Sequence, residues 1–254
     1  MVSIVIPCYN EETNIRSGIL GTIAEFVDQA DYCFEALIVD DGSRDQSADL
    51  VAAFAAEHPK FRLLREPHRG KAGAVVAGVL ATKYEHVLFC DLDQATPIAE
   101  LERLRPYIMA GYDVIVGSRA GHREGAPLVR KLMASGYILL RRLILNLGDI
   151  TDTQCGFKVF RADAFREIIM GLQVYQPGTQ QARGATVTAA FDAELLYLAR
   201  RLGYSAKEVP VRWHHVGTKR VHPIVESWRG LRGLLTIRLN AWLGKYPRAK
   251  SRPK

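Results

Sequence analysis

The 254-residue chain has no run of about eighteen apolar residues, so nothing in it reads as a single membrane-spanning helix. Cysteine is scarce: Cys8, Cys33, Cys90 and Cys155 stand far apart, with neither a zinc-ligand spacing nor a disulfide framework. That pattern suits a reduced, cytosol-facing protein. The sequence shows no secretory-signal pattern, and Met1-Val2-Ser3 leads directly into a strand pattern, so no targeting segment is expected. RNA- and DNA-binding signatures are missing, which argues against a nucleic-acid partner. Internal repeats are absent, and so is low complexity before the tail.

What is present is a large core and an excess of positive charge. The length suffices for one large or two small domains, and with 48% hydrophobic residues a substantial core is available. The net charge of +7 points to an anionic partner: nucleic acid, an anionic membrane or a phosphorylated substrate. Lys and Arg thicken after Arg123, and the tail from Lys245 to Lys254 is strongly basic.

Strand and helix patterns alternate through the first half. Strands are predicted at Val2–Pro7, Ala36–Val39, Phe61–Leu64, Val87–Phe89 and Val114–Val116. Helices are predicted at Thr13–Val27, Asp45–Glu57, Gly70–Thr82 and Pro97–Met109, the last with its proline well placed at a helix start. This alternation predicts an α/β fold, a mostly parallel sheet with helices on both faces. Ligands of such sheets bind beyond the carboxyl ends of the strands. Polar clusters follow three of these strands, at Tyr9–Glu12, Asp40–Ser43 and Asp91–Gln94, and are expected on one sheet edge.

The second half is less regular. Leu128 to Leu147 is apolar but interrupted by Arg130, Lys131, Arg141 and Arg142. Gly171 to Ala190 lacks periodicity and is read as a loop or lid. A helix at Phe191–Leu202 and a strand at Ala206–Trp213 follow. His222 to Leu243 then mixes Trp228, Leu231, Leu234, Leu235, Ile237, Leu239, Trp242 and Leu243 with Arg229, Arg232 and Arg238. Basic, aromatic, leucine-rich helices of this kind lie in membrane interfaces, and a basic tail adds attraction to anionic lipid. The competing expectation is packing on the sheet or on another subunit. For Arg141 and Arg142 lipid-headgroup contact is expected.

The centre of the pattern is Phe89-Cys90-Asp91-Leu92-Asp93. Two carboxylates one residue apart leave the end of a buried strand on the same side of the extended chain. Such a pair suits a hard divalent cation that keeps positions open for substrate phosphates. Taken alone it is equally a solvated acidic turn.

Read together, Ile6-Pro-Cys-Tyr-Asn-Glu-Glu12, Val39-Asp-Asp-Gly-Ser43, Arg69-Gly-Lys-Ala-Gly-Ala-Val75, Asp91-Leu-Asp-Gln-Ala-Thr-Pro97, Val116-Gly-Ser-Arg119, Asp152-Thr-Gln-Cys-Gly-Phe-Lys-Val-Phe160, Phe191-Asp-Ala-Glu-Leu-Leu-Tyr-Leu-Ala199 and Glu208-Val-Pro-Val-Arg-Trp213 resemble the inverting GT-A glycosyltransferases of family 2. They resemble most the dolichyl- and polyprenyl-phosphate sugar synthases, and among these the dolichyl-phosphate glucosyltransferase branch. The resemblance covers about residues 2–220. It implies a GT-A catalytic domain over 1–220, with an interface helix at about 128–147, followed by an amphipathic helix and basic tail over 221–254. The implied reaction moves a hexose, glucose from UDP-glucose first, to dolichyl or polyprenyl phosphate with inversion. GDP-mannose-dependent transfer and a non-catalytic sugar-nucleotide binder are the alternatives.

The resemblance also implies roles. Asp91 and Asp93 would hold Mg²⁺ or Mn²⁺, and Pro7, Tyr9, Glu11, Asp41 and Lys71 would contact the donor nucleotide. Arg119, Arg130, Ser135 and Lys219 would meet the acceptor phosphate, as the planar fork of arginine suits. Gln154 would face the donor sugar, and Asp192 is a catalytic candidate or the N-cap of its helix. Ala95 stands where mannose-phosphate synthases often carry glutamine, with Gln94 beside it, so the third metal ligand stays open. The Q-x-x-R-W motif of processive synthases is absent, since Val209 occupies its first position before Arg212-Trp213. A pyrophosphorylase would need a glycine-rich loop where Pro7-Cys8-Tyr9-Asn10 stands. A lipid phosphate is largely ionised at neutral pH, its second pKa being near 6, so no strong base is required. The expected setting is peripheral, on the cytoplasmic side of a membrane, with a homo-oligomer allowed.

Overall fold

The computed structural model describes residues 1–119, 141, 143–175, 189–214 and 223–249. A seven-stranded sheet runs through its middle. The elements are β1 (Val2–Cys8), α1 (Glu12–Arg16), α2 (Ile19–Gln29), β2 (Cys33–Asp40), α3 (Ser47–Glu57), β3 (Phe61–Arg65), α4 (Gly70–Ala81) and β4 (His86–Cys90). There follow a 3₁₀ turn (Ile98–Glu100), α5 (Leu101–Met109), β5 (Val114–Ser118), β6 (Phe157–Arg161), α6 (Ala162–Met170), α7 (Ala189–Arg201), β7 (Ala206–Pro210) and α8 (Pro223–Trp242). The strand order is β3-β2-β1-β4-β6-β5-β7. Among the described strands only β6 is reversed, antiparallel to both β4 and β5.

The sheet is covered on both sides because its strands are apolar on both sides. Val5, Leu37, Val39, Phe89 and Val116 join one core with residues of α4, α6, α7 and α8. Ile4, Ile6, Ile38, Leu88 and Ile115 join another with α2 and α5. Register places Cys8 beside Asp40 and Val5 beside Phe89, so β1, β2 and β4 end on one edge. The three polar clusters gather there, as expected.

Several boundaries differ from the sequence reading. The helix predicted over Thr13–Val27 is two helices, broken at Gly18, whose φ of 89° lies in the left-handed region that a glycine enters freely. The strand β6 and helix α6 are not among the predicted elements; in β6 fully buried Lys158 interrupts the apolar run. Only the end of the predicted 128–147 helix is described. There Leu145 and Leu147 enter the core while Leu143 is exposed. Arg141 does not face lipid: it is buried and donates to the Thr153 hydroxyl at 2.8 Å and to the Thr151 carbonyl.

Candidate active site

Asp41 follows β2 and is buried. Its Oδ1 accepts the Arg69 amide at 2.7 Å, its Oδ2 accepts the Gly70 amide at 2.9 Å, and His68 Nδ1 lies 2.8 Å from Oδ2. These amides open α4, so Asp41 satisfies a helix N-terminus from another element. Burial lifts its proton affinity above the ordinary carboxylate range, and the bonds from Arg69, His68 and Gly70 oppose this without cancelling it. The His68 ring stacks on Tyr9, with centroids 4.1 Å apart and planes 11° from parallel. Asp41 thus serves mainly as a holder, while Tyr9 and His68 form the aromatic wall beside it. Pro7 is the last residue but one of β1, in register with Val39, so it does not end the strand. Glu11 accepts from Asn14 Nδ2 at 2.5 Å, and its amide donates to Ser47 Oγ at 2.7 Å. Asp40 accepts from the Ser43 amide at 3.3 Å, which closes the turn after β2.

Lys71, the second residue of α4, forms an ion pair with Asp91 beyond the end of β4. Burial alone would lower its pKa; the charges of Asp91, Asp192 and Asp93 outweigh it and hold the ammonium above its ordinary value. Asp93 accepts the Ala95 amide at 3.1 Å. Burial, then the charge of Asp91, raises its proton affinity. Gln94 takes a left-handed φ of 49°, and its side chain is spent on the loop: it donates to the Asp91 carbonyl at 3.0 Å and accepts the Ile98 amide at 2.7 Å. Gly156 leaves Asp91 its room, since a Cβ there would lie 2.0 Å from Asp91 Oδ2.

The loop carrying Gly156 is tied from several sides. Arg119 donates through Nε and Nη2 to Asp152, both at 2.8 Å, and lies over Trp213 at 5.9 Å. Burial would raise the Asp152 carboxyl, but the bonds and charge of Arg119 bring it down to about 2. Glu208 of β7 accepts the Asp152 amide at 2.9 Å and the Thr151 hydroxyl at 2.7 Å. Gln154 is exposed on this loop, its amide donating to Asp152 at 3.1 Å. Asp192 lies in the first turn of α7, which begins at Ala189, so it is not the N-cap. Its carboxylate takes a hydrogen bond from buried Lys158 at 2.7 Å.

The structure therefore joins Lys71 and Asp91 directly, with Asp93 and Asp192 close enough to act electrostatically on Lys71, and Asp192 also on Arg119. Arg130, Ser135 and Lys219 lie outside the described residues. Sequence reasoning gave no role to His68, Asp152, Gly156, Lys158 or Glu208. Four of these stand inside or beside quoted motifs, which was the available signal; His68 precedes one by a single residue.

The donor set fits a divalent cation. Two carboxylates share one strand end, and the burial and mutual charge that raise Asp93 are relieved by a cation. Among the described residues no third His, Cys, Asp or Glu completes a cluster. Phosphate and water oxygens would supply the remaining positions.

A sheet that collects carboxylates, a lysine at a helix start and an aromatic wall beyond its parallel strands is that of an α/β protein whose ligand site lies at the carboxyl ends of the strands. The sequence pattern of Glycosyl transferase family 2 matches residues 3–169. The chain belongs to that family. It is 35% identical to a dolichyl-phosphate beta-glucosyltransferase of Trichomonas vaginalis, over 85% of this chain and 65% of that one. It is 30% identical to the dolichyl-phosphate beta-glucosyltransferase of Dictyostelium discoideum, over 96% of this chain and 75% of that one. The chain thus spans about two thirds to three quarters of the length of these relatives. Its fold is similar to that of glucosyl-3-phosphoglycerate synthase from Mycobacterium tuberculosis, solved with Mn²⁺, uridine diphosphate and glucosyl-3-phosphoglycerate. The TM-score is 0.57 at 20% identity, over 99% of this chain and 81% of that one.

Proposed function

We propose that the chain transfers glucose from UDP-glucose to dolichyl or polyprenyl phosphate with inversion, giving a β-linked lipid phosphosugar. The observation that carries this is the Asp91–Asp93–Lys71 cluster at the end of β4, in a chain 30% identical to a dolichyl-phosphate beta-glucosyltransferase over 96% of its length.

Asp91 and Asp93 would hold Mg²⁺ or Mn²⁺ against the donor diphosphate. When bound, the cation stabilises the charge that develops on the leaving nucleoside diphosphate. Lys71 stands ready beside the same diphosphate. Pro7, Tyr9 and Glu11 line the nucleoside side, where Tyr9 offers a face for a base and Asp41 fixes the wall behind it. Gln154 and Asp192 flank the donor sugar. Arg119 faces the acceptor phosphate, joined by Arg130, Ser135 and Lys219. An ionised phosphate oxygen attacks the anomeric carbon as the bond to the diphosphate breaks, and no side chain need remove a proton.

The acceptor reading is supported by α8. Trp228, Leu235, Leu239 and Trp242 recur at helical spacing and are exposed, while Leu234, Ile237 and Asn240 are buried. Arg238 lies over Trp242 at 5.2 Å, and exposed Lys245 and Arg248 follow. This face would rest in an anionic membrane surface, with the protein peripheral on the cytoplasmic side. Among the described residues no helix is long and apolar enough to cross a membrane.

A donor screen tests the reading. Purified protein with Mg²⁺ or Mn²⁺ and a short polyprenyl phosphate is offered UDP-glucose, UDP-GlcNAc, UDP-galactose and GDP-mannose. Lipid-linked β-glucose is the expected product. Nucleotide binding without lipid product from any donor would sink the acceptor assignment, and a retained anomeric configuration would sink the mechanism.

A further inference from the structure

Lys158 is fully buried as the second residue of β6, paired in the sheet with Phe89 of β4 and Val116 of β5. Its ammonium donates to Asp192 Oδ1 at 2.7 Å and to the Cys155 carbonyl, and lies 5.0 Å from the centre of the Phe89 ring. A buried ion pair is a poor stabilising device. Removing two charges from water costs several kcal/mol each, and apolar replacements of similar volume are often as stable or more so. Stability therefore gives little reason for this pair.

Its position gives a better one. The ammonium binds three elements that converge on the donor site. Phe89 stands two residues before Asp91. Cys155 adjoins Gly156, which leaves Asp91 its room. Asp192 is the α7 carboxylate whose field reaches both Lys71 and Arg119. One oxygen of Asp192 is fixed by Lys158, and the side chain keeps a narrow exposed edge, 9%.

We propose that Lys158 is a positioning residue of the transfer site: it fixes Asp192 and the 152–156 loop in the arrangement that meets the hydroxyls of the donor sugar. The inference rests on the sugar-nucleotide reading above. It assigns Lys158 no contact with the reacting atoms; it acts through Asp192 and the Cys155 carbonyl. Its signature is a defect specific to the sugar, leaving the nucleotide half of the donor site intact.

The test uses the full chain with Mn²⁺ and no acceptor, comparing calorimetric affinities for UDP and UDP-glucose, then kcat with acceptor present. Lys158→Met should bind UDP within about threefold of the parent, lose the added affinity conferred by glucose, and show kcat reduced about 100-fold, as expected of a misplaced site. Because Lys158→Met leaves Asp192 buried without its partner, Lys158→Met/Asp192→Leu is the charge-balanced control. It should melt at or above the parent temperature yet keep the sugar and kcat defects. If the double variant regains both melting temperature and kcat, the pair is merely neutralising and the inference is overturned. Parent-like kcat and glucose increment in Lys158→Met would overturn it equally. If the parent itself does not distinguish UDP-glucose from UDP, the donor reading fails first and takes this inference with it.

Discussion

On the side of the site built by β1, β2 and α4, the key carboxylate is held largely by backbone: Asp41 takes the amides of Arg69 and Gly70 as well as His68. On the side built by β5, β6 and α7, the carboxylates face side-chain cations: Asp152 takes Arg119 and Asp192 takes Lys158. The acidic loop after β4 lies between, with Lys71 reaching Asp91 from the first side and Gly156 abutting it from the second. A backbone-held group is placed once the strands and helix are placed. A group held by charge pairs depends on the ionisation and identity of each partner. The nucleotide half should thus resist substitution better than the sugar and acceptor half.

The largest expected effect falls on the seam between the halves. Asp93→Ala should leave the fold intact and reduce transfer by at least about 1,000-fold, because the developing diphosphate charge loses its countercharge. Turnover assays with Mg²⁺ or Mn²⁺ check this; normal turnover with either ion would remove Asp93 from the metal set. Asp152→Asn tests the charge-held half. It should lower transfer about 100-fold by loosening the loop against Asp91. It should also change the acid sensitivity of the fold. The Asp152 carboxyl titrates near 2 against its ordinary 3.8, so the folded state favours the ionised form. A depressed acid contributes its stability fully above the unfolded value and loses it as pH falls through the folded one. The contribution is about 2 kcal/mol, full above about pH 5 and lost progressively toward pH 2. Urea denaturation of parent and variant from pH 7 down to 3 should therefore show a gap that narrows with acid; a constant gap would mean that Arg119 does not set this carboxyl.

The same contrast explains what could be read from sequence. Strands β1, β2, β4 and β5 carry apolar residues on both faces, so periodicity and turn residues located them and put Asp41, Asp91 and Asp93 on one edge. In the second half polar side chains replace apolar ones inside. Lys158 sits inside β6, Arg141 bonds the Thr151 carbonyl and Thr153 hydroxyl, and Glu208 holds the Thr151–Asp152 turn. Hydrophobic patterning has no signal for a buried cation whose partner stands 34 residues away, as Asp192 does from Lys158. Arg119 was legible as a site residue, but its bidentate partner was not, because only the fold brings Asp152 to it.

A milder probe addresses the backbone-held half. Asp41→Asn keeps the shape of the side chain but removes its charge and places a donor where only acceptors fit the amides of Arg69 and Gly70. The cost should be that of a damaged helix cap, roughly 1 kcal/mol in stability. Because α4 carries Lys71 and His68 backs Tyr9, the KM for UDP-glucose should rise about fivefold while kcat stays near the parent value. A collapse of kcat with unchanged KM would instead place Asp41 in the chemistry of transfer and undo the division between the halves.

The smallest effect is expected farthest from both halves, on the outer face of α8. Trp242 is 73% exposed and Trp228 68%, on a helix whose Leu234 and Ile237 are in the core shared with the sheet. Removing one of these rings leaves the packed side of the helix untouched. Trp242→Ser should therefore keep the parent melting temperature and its turnover with a short, detergent-dispersed acceptor. Binding to vesicles of phosphatidylcholine and phosphatidylserine should weaken about threefold, since a ring resting in an interface gains only part of the roughly 2 kcal/mol of full burial. Arg238 also stacks on this ring, so Arg238→Gln should weaken binding in the same direction and flatten its salt dependence. Vesicle binding unchanged in both variants, with a melting temperature that falls, would turn the face into a packing surface for another chain and leave the acceptor to reach the site from solution.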